Sequence, residues 1–228
     1  PLSALVSLPD ETDIIAGQLA VQAQLTWLRP AGDEFELQGP IDVQAQNLSG
    51  YFDDTVFTRL GVYMKAELLP DWQLRTRELG SAALTAVDPG IELEYLSTRF
   101  TLDTRNTSVQ LIRPQATVFD GIVSAEQINW QPDTPEHFEI QLQQIDVARI
   151  LGLSAYQQVQ ATGRLDGSLP VELLNTTAVI NGGKVTSVPP GGSIRYQGGR
   201  FGGSNQNMEL VNQALQRYDY SSLNATIN

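Results

Sequence analysis

Polar and apolar residues alternate along much of the N-terminal half of the chain. The segment Gly17–Trp27 reads GQLAVQAQLTW, and the segment after the turn RPAGD reads EFELQGPIDVQAQNL. In both, the apolar residues fall on every second position and glutamines fill most of the others. The apolar positions are Leu19, Val21, Ala23, Leu25 and Trp27 in the first segment, and Phe35, Leu37, Ile41, Val43 and Ala45 in the second. A period of two predicts strands with one apolar face, and about 11 residues of strand would span on the order of 35 Å.

The alternation continues, less regularly, to the middle of the chain. Leu60 and Val62 belong to a third apolar stripe, between Val56 and Leu68, and Ile140 and Leu142 belong to a later one. The phase slips near Leu96–Phe100, which predicts a β-bulge. The segment Pro132–Pro135 predicts a loop, because proline interrupts strand pairing. Long strands joined by short turns are therefore expected throughout this half.

Tight turns dominate the segment Val159–Tyr196. Asp166-Gly167 and Asn181-Gly182 predict two hairpins, and Pro189–Gly192 predicts a sharper break. For the first hairpin, a three-residue loop over Leu165–Gly167 gives the better register, because it keeps apolar residues on one face. The predicted opposed pairs are Gly163 with Leu169, Ala161 with Val171, and Val159 with Leu173.

Two short helices are predicted. Asp146 is suited to cap a helix within Ile145–Leu153 that ends at Gly152. The segment Asn207–Tyr218 carries its apolar residues on one helical face, and we expect it to close an end or an edge of the sheet.

Composition excludes several classes of protein. Hydrophobic residues make up 41% and charged residues 18% of the 228 residues, which excludes a disordered tail. The net charge of −12 disfavours nucleic acid and anionic bilayer surfaces. There is no cysteine, so a disulfide framework and a cysteine metal site are both excluded. No apolar run approaches the roughly 20 residues of a membrane span, and there is no signal peptide. The sequence starts abruptly at Pro1 and stops at Asn228 at the expected beginning of a strand, so we expect an excised fragment of a longer protein.

The search for catalytic groups finds little. The single histidine, His137, follows Glu136 in what we expect to be a solvated loop. Gly152-Leu-Ser154 lacks the second glycine of a nucleophile elbow. The pairs Asp53-Asp54 and Asp10-Glu11 lack the spacing of an ion-binding loop, and the run GGRFGG at 198–203 lacks that of a phosphate loop. We expect no catalytic residue, no metal site, no cofactor and no enzymatic activity.

A family resemblance emerges from the C-terminal turns. The sequence GRLDGSLPV at Gly163–Val171, followed by NGGKV and by PGGSIRY at Pro190–Tyr196, resembles the C-terminal part of the YdbH-type proteins. These are bacterial AsmA-like proteins of the cell envelope, a family also labelled dicarboxylate transport. The resemblance covers about Phe138–Asn228, which we treat as a family-specific module within one continuous fragment, residues 1–228. These motifs are structural and carry no catalytic content.

The resemblance implies a mainly β fold, in which a long curved antiparallel sheet forms an open apolar groove with one or two short helices. It also implies a function, namely a periplasmic conduit that carries phospholipids between the inner and outer membranes of a Gram-negative cell. Its expected partners are phospholipid acyl chains and a small outer-membrane lipoprotein bound by strand addition, with the full-length protein anchored in the inner membrane. The residues expected to line the groove are Leu19, Val21, Leu25, Leu37, Ile41, Val43, Leu60, Val62, Ile140, Leu142, Val159, Ala161, Leu169, Val171 and Leu173.

Two alternatives to the conduit stay open. A closed β-sandwich for binding or adhesion would also place one apolar face on each strand. A hydrolase would need His137 within hydrogen-bond reach of a nucleophile. If the groove exists, Val43→Asp or Val171→Asp should block transport without affecting expression, because each places a charge on the apolar strip.

Overall fold

The structure is a computed structural model that describes residues 12–28, 36–153, 158–196 and 218–227. Within these residues the chain is mainly β, with one large antiparallel sheet of 15 strands that is not a closed barrel. The described part also contains a separate three-stranded sheet, one α-helix and a 3-10 helix at Pro70–Trp72. The predicted fold class, mainly β and antiparallel with few helices, is confirmed.

The strands are numbered in chain order. They are β1 Thr12–Ala23, β2 Thr26–Leu28, β3 Glu36–Phe52, β4 Thr55–Leu69, β5 Gln73–Thr76, β6 Gly80–Asp88, β7 Leu93–Asp103, β8 Ser108–Val118, β9 Gly121–Ala125, β10 Gln127–Trp130, β11 Glu136–Asp146, β12 Val159–Thr162, β13 Arg164–Leu174, β14 Thr177–Ile180, β15 Gly183–Ser187, β16 Gly192–Tyr196, β17 Tyr218–Tyr220 and β18 Asn224–Ile227. The large sheet has the order β1-β3-β4-β5-β7-β8-β9-β11-β13-β15-β18. In addition, β2 pairs with β3, β6 with β4 and β7, β10 with β8, and β14 with β13.

The chain divides into two compact units. The first comprises the described part of Pro1–Thr117 together with Ser124–Phe138 and Glu172–Ala178. The second comprises Val118–Val123, Glu139–Val171 and the described part of Val179–Asn228. The three-stranded sheet, of order β12-β16-β17, belongs to the second unit.

The first unit is built on three long neighbouring strands. β1, β3 and β4 contain 12, 17 and 15 residues, so they are longer than the alternation predicted. Their register places Val21 opposite Val43, and Val43 opposite Met64. Because paired residues in a sheet point to the same face, the apolar stripes of the three strands lie on one side.

Several local predictions in the first unit are confirmed. The pairing of β7 with β8 shifts register between Glu94 and Ser97, and again between Ser97 and Arg99, where a bulge was predicted. A loop separates β10 from β11 at the predicted prolines. The pair Asp53-Asp54 lies in the turn between β3 and β4, and His137 lies in β11, which corrects its prediction as a loop residue.

The predicted capped helix is also confirmed. Helix α1 spans Val147–Gly152, and the carboxylate of Asp146 accepts hydrogen bonds from the backbone N–H groups of Ala148 and Arg149. This satisfies two of the donors that a helix leaves unpaired at its start.

The predicted hairpin at Leu165–Gly167 is wrong. These residues lie inside β13, which runs without interruption from Arg164 to Leu174. The chain instead breaks at Gly163, whose φ of +117° lies in the region that glycine favours. Gly167 has a different role, since a Cβ there would overlap the carbonyl oxygen of Lys184 on the paired strand β15. The glycine therefore permits close strand pairing and does not form a turn.

The second predicted hairpin is also corrected. β14 and β15, on either side of Asn181-Gly182, both pair with β13. They are therefore consecutive segments along the same neighbour, and Gly182, with φ +78°, lies at the break between them.

Four predictions lie wholly or mostly outside the described residues. They concern the turn RPAGD at 29–33, the pair Asp10-Glu11, the run GGRFGG at 198–203, and residues 207–217 of the predicted helix Asn207–Tyr218. Tyr218 itself begins β17.

Candidate functional site: the apolar face of the large sheet

A row that is apolar over four strands, and ends at a threonine on the fifth, crosses the sheet of the first unit. Leu19 on β1 pairs with Ala45 on β3, Ala45 pairs with Val62 on β4, Val62 pairs with Ala82 on β6, and Ala82 pairs with Thr98 on β7. Because each of these positions faces the same side of the sheet, the row forms one continuous strip about four strand spacings wide, roughly 19 Å.

Further rows extend the strip on both sides. They are Val21–Val43–Met64, Leu48–Leu60, Leu84–Leu96, Phe100–Leu111–Ile128 and Leu102–Val109–Trp130. We call the side of the first unit that carries these residues the apolar face. Polar side chains occupy the alternate positions on the opposite side, which we call the polar face.

The apolar face is only partly covered. In the described part of the chain no large side chain is fully buried, although Ala45 and Leu48 on this face are buried. Val21 is 56% exposed, and Leu19, Val43, Leu60 and Val62 are each partly exposed. A sealed two-layer core would bury such residues almost completely.

The structure brings most of the predicted lining residues of the first unit together. Leu19, Val21, Ile41, Val43, Leu60 and Val62 share the apolar face through the pairings of β1, β3 and β4. Leu37 lies near the start of β3, opposite Trp27. Leu25 lies between β1 and β2 and belongs to no strand.

The remaining predicted residues are distributed differently. Ile140 and Leu142 lie on β11, and Leu169, Val171 and Leu173 alternate along β13. Val159 and Ala161 lie on β12, which pairs with β16 in the three-stranded sheet, so they do not oppose Leu173 and Val171. This error follows from the wrong hairpin, since β12 and β13 do not pair within the described residues.

Several residues of the apolar face were not included in the predicted lining. Met64, Leu84, Leu96, Phe100 and Leu111 occupy it in the same way as the predicted positions. The alternation in β4 already places Met64 on the apolar face. Which residues of β7 and β8 lie on that face depends on the position of the bulge near Tyr95, because the bulge reverses the alternation of apolar and polar residues.

The polar face of the first unit carries a depression of about 630 Å³. Gly61, Ala83, Ser81 and Ser97 leave space in its centre because their side chains are small. Tyr63, Gln44, Arg99 and Gln115 stand around it. A second depression, of about 420 Å³, lies near Asp103 and Glu136.

Charged groups elsewhere form ordinary surface pairs. Nε2 of His137 lies 3.7 Å from a carboxylate oxygen of Glu172, and both side chains are well exposed. The hydrogen bond from the Arg105 guanidinium lowers the pKa of the Asp103 carboxyl to about 2. Among the described residues no group of histidine, aspartate and glutamate could hold a metal ion. The helix in the same part of the chain is too short to cross a membrane.

The motif GRLDG has a structural role in the second unit. The Arg164 guanidinium donates to the carbonyl oxygens of Asp120 and Gln144, at 3.0 and 2.8 Å. The Asp166 carboxylate accepts a 2.7 Å hydrogen bond from the backbone N–H of Gln144, whose φ is +57°. A third contact joins Arg149 to the Asp120 carboxylate at 2.8 Å. The motif therefore fixes an irregular point in β11 and the turn before β9.

Comparison with known proteins extends the resemblance to the whole chain. The model of the YdbH-like family, described as intermembrane phospholipid transport protein YdbH, matches residues 1–228. The match therefore includes the N-terminal half, where the turn motifs gave no specific resemblance. No curated protein and no solved structure matches the chain. The family is one of lipid transport and is not a known family of enzymes. The chain belongs to the YdbH-like family of intermembrane phospholipid transport proteins.

Proposed function

We propose that the apolar face is the surface along which phospholipid acyl chains move between the two membranes, in an open apolar groove formed by one continuous fragment, residues 1–228. The observation that carries the proposal is the row from Leu19 to Ala82, which crosses four neighbouring strands without a charged residue and, apart from the buried Ala45, stays partly exposed. An exposed apolar strip of this extent marks an interaction surface in a soluble environment.

The cost of exposing acyl chains to water explains why an apolar strip is sufficient to carry a lipid. Exposing a methylene to water costs about 0.8 kcal/mol, so a lipid with roughly 30 methylenes would lose on the order of 20 kcal/mol in free transit. Apolar side chains along the whole path remove most of that cost. Since the strip carries no charged side chain that could hold a headgroup, a lipid has no preferred stopping point. The headgroups stay in water along the open side.

Partners follow from the edges of the sheet. Among the described strands, β18 stands at one end of the strand order, with β15 as its paired neighbour. Such an edge is suited to strand addition by a small outer-membrane lipoprotein. In this proposal the full-length protein is anchored in the inner membrane and works in the periplasm.

The test is to identify the lipids that the purified chain carries. Mass spectrometry of the protein after gentle extraction should find phospholipids with two acyl chains at a reproducible ratio to protein. The same preparation should transfer labelled phospholipid between donor and acceptor vesicles. A lipid-free preparation that also fails to transfer would contradict the proposal.

A further inference from the structure

The depression on the polar face lies on the opposite side of the same strands from the acyl-chain strip. Ser81 pairs with Tyr63 and with Arg99, whereas the next residue of β6, Ala82, pairs with Val62 on the apolar face. Successive residues of a strand point to opposite faces, so the side chains of Ser81, Tyr63 and Arg99 stand on the polar face. The strip residues Ala45, Val62, Ala82 and Thr98 also border the depression, from between these polar-face rows. The role of the depression goes beyond the proposed function.

The charge of the depression contrasts with that of the protein. The chain carries a net charge of −12, with 26 acidic residues against 14 basic ones. The residues around the depression include Arg99 and Arg113 and no aspartate or glutamate. The second depression on the same unit includes Asp103 and Glu136 besides Arg75. A local excess of positive charge in an acidic protein attracts anions and raises their local concentration.

Neighbouring groups leave this excess largely in place. Nε of Arg113 lies 4.0 Å from a carboxylate oxygen of Glu126, and these side chains are 81% and 89% exposed. Such an exposed pair contributes little and is readily replaced by a better-positioned anion. Beside Tyr63, the Lys65 ammonium lies 5.8 Å from the centre of the tyrosine ring. It pairs with Glu78 at 3.1 Å, so it adds little to the positive charge of the depression.

The remaining groups offer both polar and apolar contacts, the apolar ones from Ala45, Val62, Ala82, Ala83 and Ile112. Ser81, Ser97 and Tyr63 supply hydroxyl groups, and Gln44 and Gln115 supply amides that both donate and accept hydrogen bonds. The depression is open to solvent, and its volume of about 630 Å³ exceeds the size of a single phosphate ion. The floor, formed by Gly61 and Ala83, allows a ring to lie close to the sheet.

We propose that this depression binds a sugar or polyol that carries one anionic group, with Arg99 and Arg113 holding the anion and the amides and hydroxyls holding the ligand's hydroxyl groups. Both a phosphate and a carboxylate satisfy this chemistry, because arginine binds either in a bidentate manner. The hydroxyl-bearing part spans the strands from β7 towards β3.

Isothermal titration calorimetry on the whole chain tests the assignment with four probes. These are glucose 6-phosphate, glucuronate, glucose and inorganic phosphate. Saturable binding of glucose 6-phosphate or glucuronate is expected. Whichever of these two probes binds more tightly shows whether the site prefers a phosphate or a carboxylate. Neutral glucose and free phosphate should each bind at least about tenfold more weakly, since each lacks one half of the contacts.

Substitutions locate the site. Arg99→Gln should weaken binding of the anionic sugar by about tenfold or more, because it removes a charge-assisted hydrogen bond. Arg113→Gln tests the same site independently if the first variant folds poorly by circular dichroism. Arg195→Gln, on β16 of the second unit, is the matched control and should bind within twofold of the parent protein. Absence of saturable binding, equal binding of glucose or of inorganic phosphate, or unchanged binding in both variants would overturn the proposal.

Discussion

Substitution of Val43 by aspartate tests the lipid path at its centre. Val43 lies on β3 between Val21 and Met64, and its side chain is partly exposed on the apolar face. An aspartate there would place a carboxylate directly in the proposed path of the acyl chains. Because the position is not sealed, the carboxylate keeps contact with water when no lipid is present.

Val43→Asp should affect the rate of lipid passage far more than the stability of the fold. Complete burial of a valine contributes about 1.5–3 kcal/mol to stability, so the partly exposed Val43→Asp variant should lose only about 1 kcal/mol. An aspartate facing hydrocarbon costs about 3 kcal/mol on membrane-insertion scales. As each 1.36 kcal/mol corresponds to a tenfold change in rate, lipid passage should slow by roughly a hundredfold.

Vesicle transfer of labelled phospholipid measures the rate, and circular dichroism during heating measures the stability. Gln44→Asp is the matched control, because the neighbouring residue points to the polar face and introduces the same charge. Transfer by the control should stay within about twofold of the parent rate. Equal transfer rates in the Val43 variant and the control would refute the reasoning. Val171→Asp is a poorer test than the sequence indicated, since Val171 is only 4% exposed and the variant should unfold more easily.

Three further predictions concern stability. Gly192→Ala should destabilise the three-stranded sheet by about 2 kcal/mol or more in thermal denaturation, because a Cβ would overlap the Thr162 carbonyl oxygen. The control Gly61→Ala should change the stability little, because the atoms nearest to its Cβ would be 3.9 Å away. Arg164→Gln should lower the free energy of unfolding by about 1–2 kcal/mol. It should also speed amide hydrogen exchange around Asp120 and Gln144, whose carbonyl oxygens accept hydrogen bonds from Arg164. The Asp103 carboxyl, whose folded-state pKa is lowered to about 2, should stabilise the fold above about pH 4 and lose that contribution as pH falls towards 2. NMR titration of this carboxyl measures the pKa, and a midpoint near its ordinary value of 3.8 would contradict the ion pair.

Alternation alone could predict the long strands. In β1 and β3 almost every second residue is apolar, so the face assignment of Leu19, Val21, Ile41 and Val43 followed without knowledge of the pairing. Near Tyr95 the backbone takes a positive φ, and the apolar phase of β7 reverses across it. Sequence can locate such a slip but cannot fix the residue at which it occurs, because the partner strand determines which residue is left unpaired.

The C-terminal half shows why turn motifs can mislead. Asp166-Gly167 has the composition of a turn, yet the Asp166 carboxylate bonds to Gln144 on another strand. Gly167 is required by the close approach of β15, which begins 16 residues later at Gly183. The roles of Asp166 and Gly167 both depend on residues distant in sequence. Local turn propensity therefore could not distinguish this strand segment from a hairpin turn. The polar-face depression was missed for a similar reason, since it gathers small residues from separate strands.

Site-specific photocrosslinking tests the central claim most directly. A photoreactive residue is introduced at position 43, and separately at position 44, in the full-length protein within cells, and crosslinked lipid is identified by mass spectrometry. Since these neighbours face opposite sides of β3, the account predicts phospholipid adducts at position 43 and few or none at position 44. Equal adduct yields at both positions, or none at position 43, would contradict the claim that acyl chains move along the apolar face.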